Sequence, residues 1–383
     1  LVNLAGLATG LACCLLVGLF VREQLRYGKH NLGDRVYRVL YRGDMAGSDE
    51  SFSAGIDAGL AAAARDALPA LEAAARVGTG DSWFEHGDKT LRQRYCLADV
   101  AVFDMFDLQL LSGDPRTLLT EPGSMVVTES AAKRFFDDAD PIGAMLTVSA
   151  GSIGVDYRIV GVVRDIPKYG HLQFDVMTAS PPTGAAPHFG SAAWEAWSDS
   201  WHPFSVYFLL RDGTTAAQVE VELPAVISPH RGREYAAHST YRLQPLSRIH
   251  LYSRTDFSVP TAGDIGQLRV VGLIGLFILS LACINFTNLA TARSAHRARE
   301  VGLRKVLGAH RQQLVAQFLG EAILIAFAAA ALAVLLAWAS MPLFGDLGFS
   351  GLTPSSLAAP GPVAMLALLT VGVGGLAGAY PAI

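Results

Sequence analysis

The chain has 383 residues, 51% of them hydrophobic and only 17% charged, with a net charge of −4. That balance excludes a disordered chain and a strongly basic nucleic-acid binder, and leaves a greasy soluble protein or a membrane protein with a soluble part. The distribution of charge selects the second: residues 1–21, 270–292, 322–345 and 347–383 lack Asp, Glu, Lys and Arg altogether, and only Asp346 separates the last two runs.

Each run supplies the roughly 20 residues of helix that a hydrocarbon core of about 30 Å requires. A buried helix of a soluble protein would show a polar stripe within a few turns. These runs show none.

The first run, LVNLAGLATGLACCLLVGLFV, predicts a membrane helix over 1–21. It opens on Leu1 without the basic start of a signal peptide, and the last run stops at YPAI. The sequence is therefore expected to be a piece cut within its first and last membrane helices.

Residues 22–267 are expected to form an extracytoplasmic α+β domain of two lobes. RVYRVLY, 35–41, reads as a strand because its residues are β-branched and aromatic. GIDAGLAAAARDAL, 55–68, reads as an alanine-rich helix stopped by Pro69. SMVVT, 124–128, is a short buried strand, and Thr128 is placed to cap the helix ESAAKRFF. YRIVGVV, VYFLL and YRLQPL read as further strands, with TTAAQVEVELPAVI as an amphipathic helix between the last two. SPPTGAAPHFGSAA, 180–193, is the expected loop between lobes. The aromatic cluster WEAWSDSW with His202 is expected to pack between strands or form a contact surface rather than a ligand cage.

Eight histidines lie in this domain, but neither HExxH nor GxSxG spacing occurs, and no Walker A sequence is present anywhere. No catalytic, metal or cofactor site is expected. Cys96 stands alone in the domain, while Cys13, Cys14 and Cys283 lie in apolar runs, so no disulfide framework is expected within the chain.

The remaining elements are a second membrane helix over 268–292, a loop over 293–313, a third helix over 314–340, an outer loop over 341–361 and a fourth helix over 362–383. The loop fixes the topology. Arg293, Arg297, Arg299, Arg304, Lys305 and Arg311 face one acid, Glu300, giving +5 between residues 293 and 314. Such a loop stays cytoplasmic, and alternation then places 22–267 outside. Residues 22–269 carry a net charge of −7, so nothing in the outer domain supports contact with nucleic acid.

As a helix, 297–307 sets Leu303, Val306 and Leu307 on one side, with Arg297, Arg304 and Lys305 partly opposed, before Gly308 breaks it. That pattern suits either a groove in a partner protein or a surface of anionic lipid. Glu321, two turns into the third membrane helix, is expected at a helix-end or subunit contact. GVGGLA, 372–377, is expected to mark a close helix contact rather than a dinucleotide fingerprint.

NFTNLATARSAHRAREVGLRKVLGAHRQQLVAQFLGEA resembles the second-helix, coupling-helix and third-helix segment of the MacB/FtsX-like permeases of ATP-binding cassette transporters. NLAGLATGLACCLLVGLFVREQLRYGKH, 3–30, resembles their first helix, and GSMVVTESAAKRFF, DPIGAMLTV and YRIVGVVRDIP resemble their extracytoplasmic domain. The resemblance implies a four-helix permease unit of the bacterial cytoplasmic membrane, with the large domain inserted between helices 1 and 2. It implies a separate cytoplasmic P-loop ATPase that engages the loop, and a second permease unit as homodimer or tandem half. A periplasmic adaptor is a further implied partner, with membrane lipid around the helices.

By that resemblance Arg299, Glu300, Gly302, Arg304, Lys305, Leu307, Gly308 and Ala309 are the coupling residues. The implied activity is ATP-driven movement of the outer domain that expels or extracts a hydrophobic, peptide or lipid-linked cargo. Two alternatives stand beside it: an FtsX-like signalling subunit that activates an envelope hydrolase, and a membrane-anchored sensor without an ATPase.

Overall fold

A computed structural model describes residues 2–26, 32, 35–43, 52–114, 118–150, 153–167, 170–178, 197, 204–253, 255–256, 263–296, 311–346 and 354–379. Two compact units result, one of Leu1–Arg26 with Ile265–Ile383 and one of Tyr27–Asp264.

The first unit is helical: α1 spans Val2–Gln24. The numbering of its later helices follows the outer elements, with α8 at Ile265–His296, α9 at Arg311–Asp346, a single turn α10 at Pro354–Leu357 and α11 at Pro360–Ala379. Three of these, α1, α8 and α9, are long and apolar enough to cross a membrane. The fourth apolar helix, α11, has 20 residues.

Helices α1, α8 and α9 outrun their expected ends, reaching Gln24, His296 and Asp346. At 1.5 Å per residue α9 is about 54 Å long, well beyond a hydrocarbon core. The expected outer loop over 341–361 is shorter than its sequence suggests, since α9 runs to Asp346 and α10 and the start of α11 occupy part of it.

Packing in this unit is inverted relative to a soluble bundle. Leu7, Leu11, Leu15 and Leu19 of α1, spaced by four, are all buried, and they meet the alanine stripe Ala326, Ala329, Ala330, Ala333 and Ala337 of α9. The large residues of α9, Leu324, Phe327, Leu335 and Trp338, point outward. Small residues inside and large ones outside is the arrangement that lipid favours, since close backbone approach rather than hydrophobic burial holds such helices together.

Among the described residues, the second unit is one continuous 12-stranded mixed sheet flanked by helices. Its strands are β1 Val36–Gly43, β2 Phe52–Ser53, β3 Leu71–His86, β4 Lys89–Ala98, β5 Leu110–Gly113 and β6 Ser124–Thr128, followed by β7 Met145–Ala150, β8 Ile153–Val163, β9 Val176–Thr178, β10 Ser205–Leu210, β11 Ser239–Pro245 and β12 Thr255–Asp256. Its helices are α2 Gly59–Ala67, α3 Val102–Met105, α4 Glu129–Phe136, α5 Ala216–Arg231, α6 Arg233–Ala237 and α7 Leu246–Tyr252. The strand order is β12-β2-β1-β10-β3-β4-β9-β6-β8-β5, with β11 on β1 and β7 bridging β3 and β8.

The central strands are covered on both faces. Val206, Phe208 and Leu210 of β10 face α2 and α5 beside Leu60, Ala64, Leu223 and Ile227, whereas Tyr207 and Leu209 face Val102, Met105, Leu246 and Ile249 on the other side. A third core joins Phe84 to Met125, Val127, Leu146, Val148 and Ile159 under Phe135 of α4. The long β3 carries residues of all three cores. The sheet is unbroken between them, and the expected inter-lobe loop 180–193 lies outside the described residues.

The anticipated elements over 35–41, 55–68, 124–136 and 206–227 coincide with β1, α2, β6 with α4, and β10 with α5 to within a few residues. Two expectations shift: YRLQPL ends as a strand at Pro245, with Leu246 starting α7, and α2 starts only at Gly59, because Ile56 bridges to Phe204. Thr128 caps α4 by accepting from the Ala131 N–H at 3.3 Å. Its hydroxyl is buried, so Thr128→Ala is expected to lower the unfolding free energy by about 1–2 kcal/mol. Denaturant melts of the two proteins check this.

Candidate coupling region and its supports

The predicted coupling residues Arg299, Glu300, Gly302, Arg304, Lys305, Leu307, Gly308 and Ala309 lie outside the described residues. The structure does describe the two helices that flank them, α8 ending at His296 and α9 starting at Arg311. Glu321 is half-buried on α9 and accepts a hydrogen bond from Gln317 Nε2 at 3.3 Å, one turn earlier on its own helix.

Helix α8 is joined to α1 by a seam of small residues. A Cβ placed on Gly10 would lie 2.4 Å from Ala282 Cβ, and one on Gly275 would lie 2.8 Å from Val17. One on Gly6 would sit 3.4 Å from Asn285 Nδ2. The two helices therefore meet at three levels, with backbone facing backbone at Gly10, where a side chain larger than hydrogen is excluded. On the other side of the bundle, Gly374 of the GVGGLA stretch meets α9, with its Cβ position 3.1 Å from Ile323 Cα. Gly372 and Gly375 have open space, so only one of those three glycines makes a close contact.

In the outer unit, a cavity of 720 Å³ opens between α2 and α5. Alanines of both helices form much of its lining, and the Arg76–Asp99 ion pair, 2.6 Å, lies in its wall. Trp197, from the aromatic cluster expected to pack, stacks on His230 with ring centroids 4.3 Å apart and planes 2° apart. Its indole covers Gly59, where a Cβ would come within 2.4 Å of Nε1. Trp194, Trp201 and His202 lie outside the described residues.

Sequence reasoning overlooked a buried polar cluster on the opposite face of the sheet. Arg38 of β1 is 0% exposed, and its Nη2 donates to Gln244 Oε1 at 2.8 Å and Ser253 Oγ at 2.9 Å. Arg38 is the cross-strand partner of Tyr207, whose hydroxyl lies 2.7 Å from His171 Nε2. Burial, with the Arg38 charge and His250 adding to it, pushes the His171 imidazole down to about 3, and burial raises the Tyr207 phenol to about 12. Both are neutral across physiological pH. Cys96 is buried and its thiol is pushed upward by desolvation, which leaves it unreactive. Among the described residues no group of His, Cys, Asp and Glu assembles a metal site.

Residues 1–226 match the family model of the MacB-like periplasmic core domain, and residues 272–383 match that of the FtsX-like permease C-terminal region. The ABC transporter permease YvrN of Bacillus subtilis is 23% identical over 348 residues, covering 85% of this chain and 79% of that one. YknZ, another ABC transporter permease of the same organism, is 24% identical over 206 residues, 52% of this chain and 44% of that one. The macrolide export ATP-binding/permease protein MacB of Rhodopirellula baltica is 25% identical over 234 residues, 56% of this chain and 33% of that protein. The chain thus spans less than half the length of two of these three relatives. Among solved structures, a permease domain from Porphyromonas gingivalis aligns with a TM-score of 0.47 at 22% identity, covering 64% of this chain and 97% of that one.

Proposed function

We infer the function from one premise: the chain belongs to the MacB/FtsX-like family of ABC transporter permeases. It is a multi-pass protein of the inner membrane with an extracytoplasmic α+β domain. Our reading is that it converts nucleotide-driven closure of a cytoplasmic P-loop ATPase into movement of that domain. In this reading α11 is the fourth membrane span, and 293–313 is the cytoplasmic loop that its excess of Lys and Arg keeps inside.

The observation that carries the proposal is the α1–α8 seam. Helix α8 leads to the basic loop, and α1 and α8 are the two helices that flank the outer domain in the chain. Backbones locked at Gly10 and Gly275 leave little room for α8 to slide without α1. A push on the loop is then delivered to both connections of the outer domain. In this scheme Arg299, Arg304 and Lys305 meet acidic groups of the ATPase, Leu307 seats in its groove, and Gly302 and Gly308 set the ends of the helical turn. Glu300 and Ala309 complete that surface, and Glu321, ten residues into α9 and so not at its end, is left as a subunit contact beyond it.

Relatives named as macrolide exporters make a hydrophobic cargo the favoured class, with peptide or lipid-linked cargo as variants of it. The chain supplies the mechanical part and contributes no nucleotide site of its own; the second permease unit and a periplasmic adaptor complete the assembly. Arg304→Glu reverses one charge at the centre of the loop. It is expected to lower ATPase recovery at least tenfold when the full-length protein is extracted from its native membrane in mild detergent. Equal recovery with both proteins, measured by quantitative mass spectrometry, would remove the loop from the coupling role.

A further inference from the structure

The Arg38 cluster occupies a particular place in the chain. Strand β1 begins twelve residues after α1 ends, and Ser253 stands twelve residues before α8 begins. Arg38 therefore bonds the first strand after one membrane helix to the residue that ends the α7 segment before the other.

The neighbouring ladder explains why a side chain is needed there. β1 and β11 pair from Tyr37–Pro245 to Gly43–Ser239, and the ladder ends where Pro245, which has no N–H, turns the chain into α7. Beyond that point Arg38 continues the link. One nitrogen of its planar fork reaches Gln244 on β11 and, past α7, Ser253, while Tyr207 on β10 lies on its other side. Arg38 thus joins β1, β10, β11 and the chain leading to α8.

A fully buried arginine is a costly way to fill this volume, since methionine would pack without the loss of hydration. What arginine adds is direction. Several charge-assisted hydrogen bonds in a low-dielectric interior resist shear, which apolar contacts allow more readily.

We propose that Arg38 is a positioning residue that ties together the places where the chain enters and leaves the outer domain, so that displacement of α1 and α8 reaches the sheet as one movement. This rests on the transmission reading above. Without the tie, the segment after β11 yields locally and ATP is hydrolysed without moving the sheet.

The test uses the full-length permease with its ATPase partner in lipid nanodiscs, as wild type, Arg38→Lys and Ser253→Ala. ATPase rate and hydrogen exchange of the β1, β10 and α7 peptides are measured with and without a non-hydrolysable ATP analogue. Wild type is expected to change exchange in β1 and β10 on nucleotide binding. Both variants are expected to keep the ATPase rate within about twofold, to exchange about tenfold faster in α7 without nucleotide, and to lose the nucleotide response in β1 and β10. Ser253→Ala removes one acceptor of Arg38, together with the 3.3 Å bond that its hydroxyl donates to Gln244 Oε1, and leaves the arginine in place, so it decides the matter if Arg38→Lys fails to fold. A wild-type nucleotide response retained in Ser253→Ala, or α7 exchange unchanged by it, overturns the inference. Wild type lacking any response while its ATPase is bound overturns the transmission reading first, and the role of Arg38 with it.

Discussion

Gly10→Ala is expected to disrupt the permease, whereas Gly272→Ala is expected to leave it intact, although both add one methyl group to an apolar helix. A Cβ at Gly10 falls 2.4 Å from Ala282 Cβ, and none of the atoms near it is the free end of a flexible chain. The helices must part to admit it. At Gly272 a Cβ meets nothing within 4 Å. Forcing a methyl group into a packed seam typically costs about 1–3 kcal/mol, while the gain in helix propensity is common to both substitutions. Thermal stability of the detergent-solubilised protein should therefore fall for Gly10→Ala alone. Nucleotide-dependent movement of the outer domain should be lost with it. Equal behaviour of the two variants would mean that α1 and α8 are not held as described.

The second large effect is acid instability of the outer domain, with His171 as a principal source. Its folded imidazole sits at about 3, below the usual 6.5, so the unfolded chain binds the proton first as pH falls. The stability contributed by the neutral ring is complete above pH 6.5 and is lost as pH falls from there towards 3. By pH 5 the loss is about 2 kcal/mol. Asp175 acts in the same direction at lower pH, because backbone and side-chain hydrogen bonds from Arg94 and Arg134 hold its carboxyl below its ordinary value. The contribution of His171 is therefore read as a difference. His171→Gln should show a shallower decline in denaturation midpoint between pH 7 and 5 than wild type, and identical slopes would place the acid sensitivity elsewhere.

The membrane helices were legible because an uncharged run of about twenty residues with no polar stripe suits little besides a bilayer. Their ends were not. Nothing in VREQ at the end of α1 marks that hydrogen bonding continues to Gln24. In the outer unit, β1, β6 and β10 were readable from β-branched and aromatic residues. Strands β3 and β4, of 16 and 10 residues, were not. β3 reads LEAAARVGTGDSWFEH, whose alanines and glycines have poor strand propensity. Tertiary packing selects them: Ala74 lies under α2, and a Cβ at Gly80 would come within 2.7 Å of the Tyr95 hydroxyl on β4.

The polar cluster was hidden for a related reason. Both faces of β1 are buried, with Val36 in one core and Val39 in the other, so RVYRVLY lacks the alternation that would have identified Arg38 as inward. Its partners Gln244, Ser253 and Tyr207 are more than 160 residues away in sequence, and only the strand order brings them together. The stacking of Trp197 on His230 is equally non-local. The basic loop over 293–313 is the converse case, conspicuous by its charge and glycine pattern.

The central claim is that this loop seats in a nucleotide-hydrolysing partner. A photo-crosslinking amino acid at Leu307 of the full-length protein, activated in native membranes, tests it most directly. The account predicts a covalent adduct with a P-loop ATPase that diminishes in the Arg304→Glu background. Adducts with lipid alone, at yields unaffected by Arg304→Glu, would contradict it and leave the basic stretch as a topology signal.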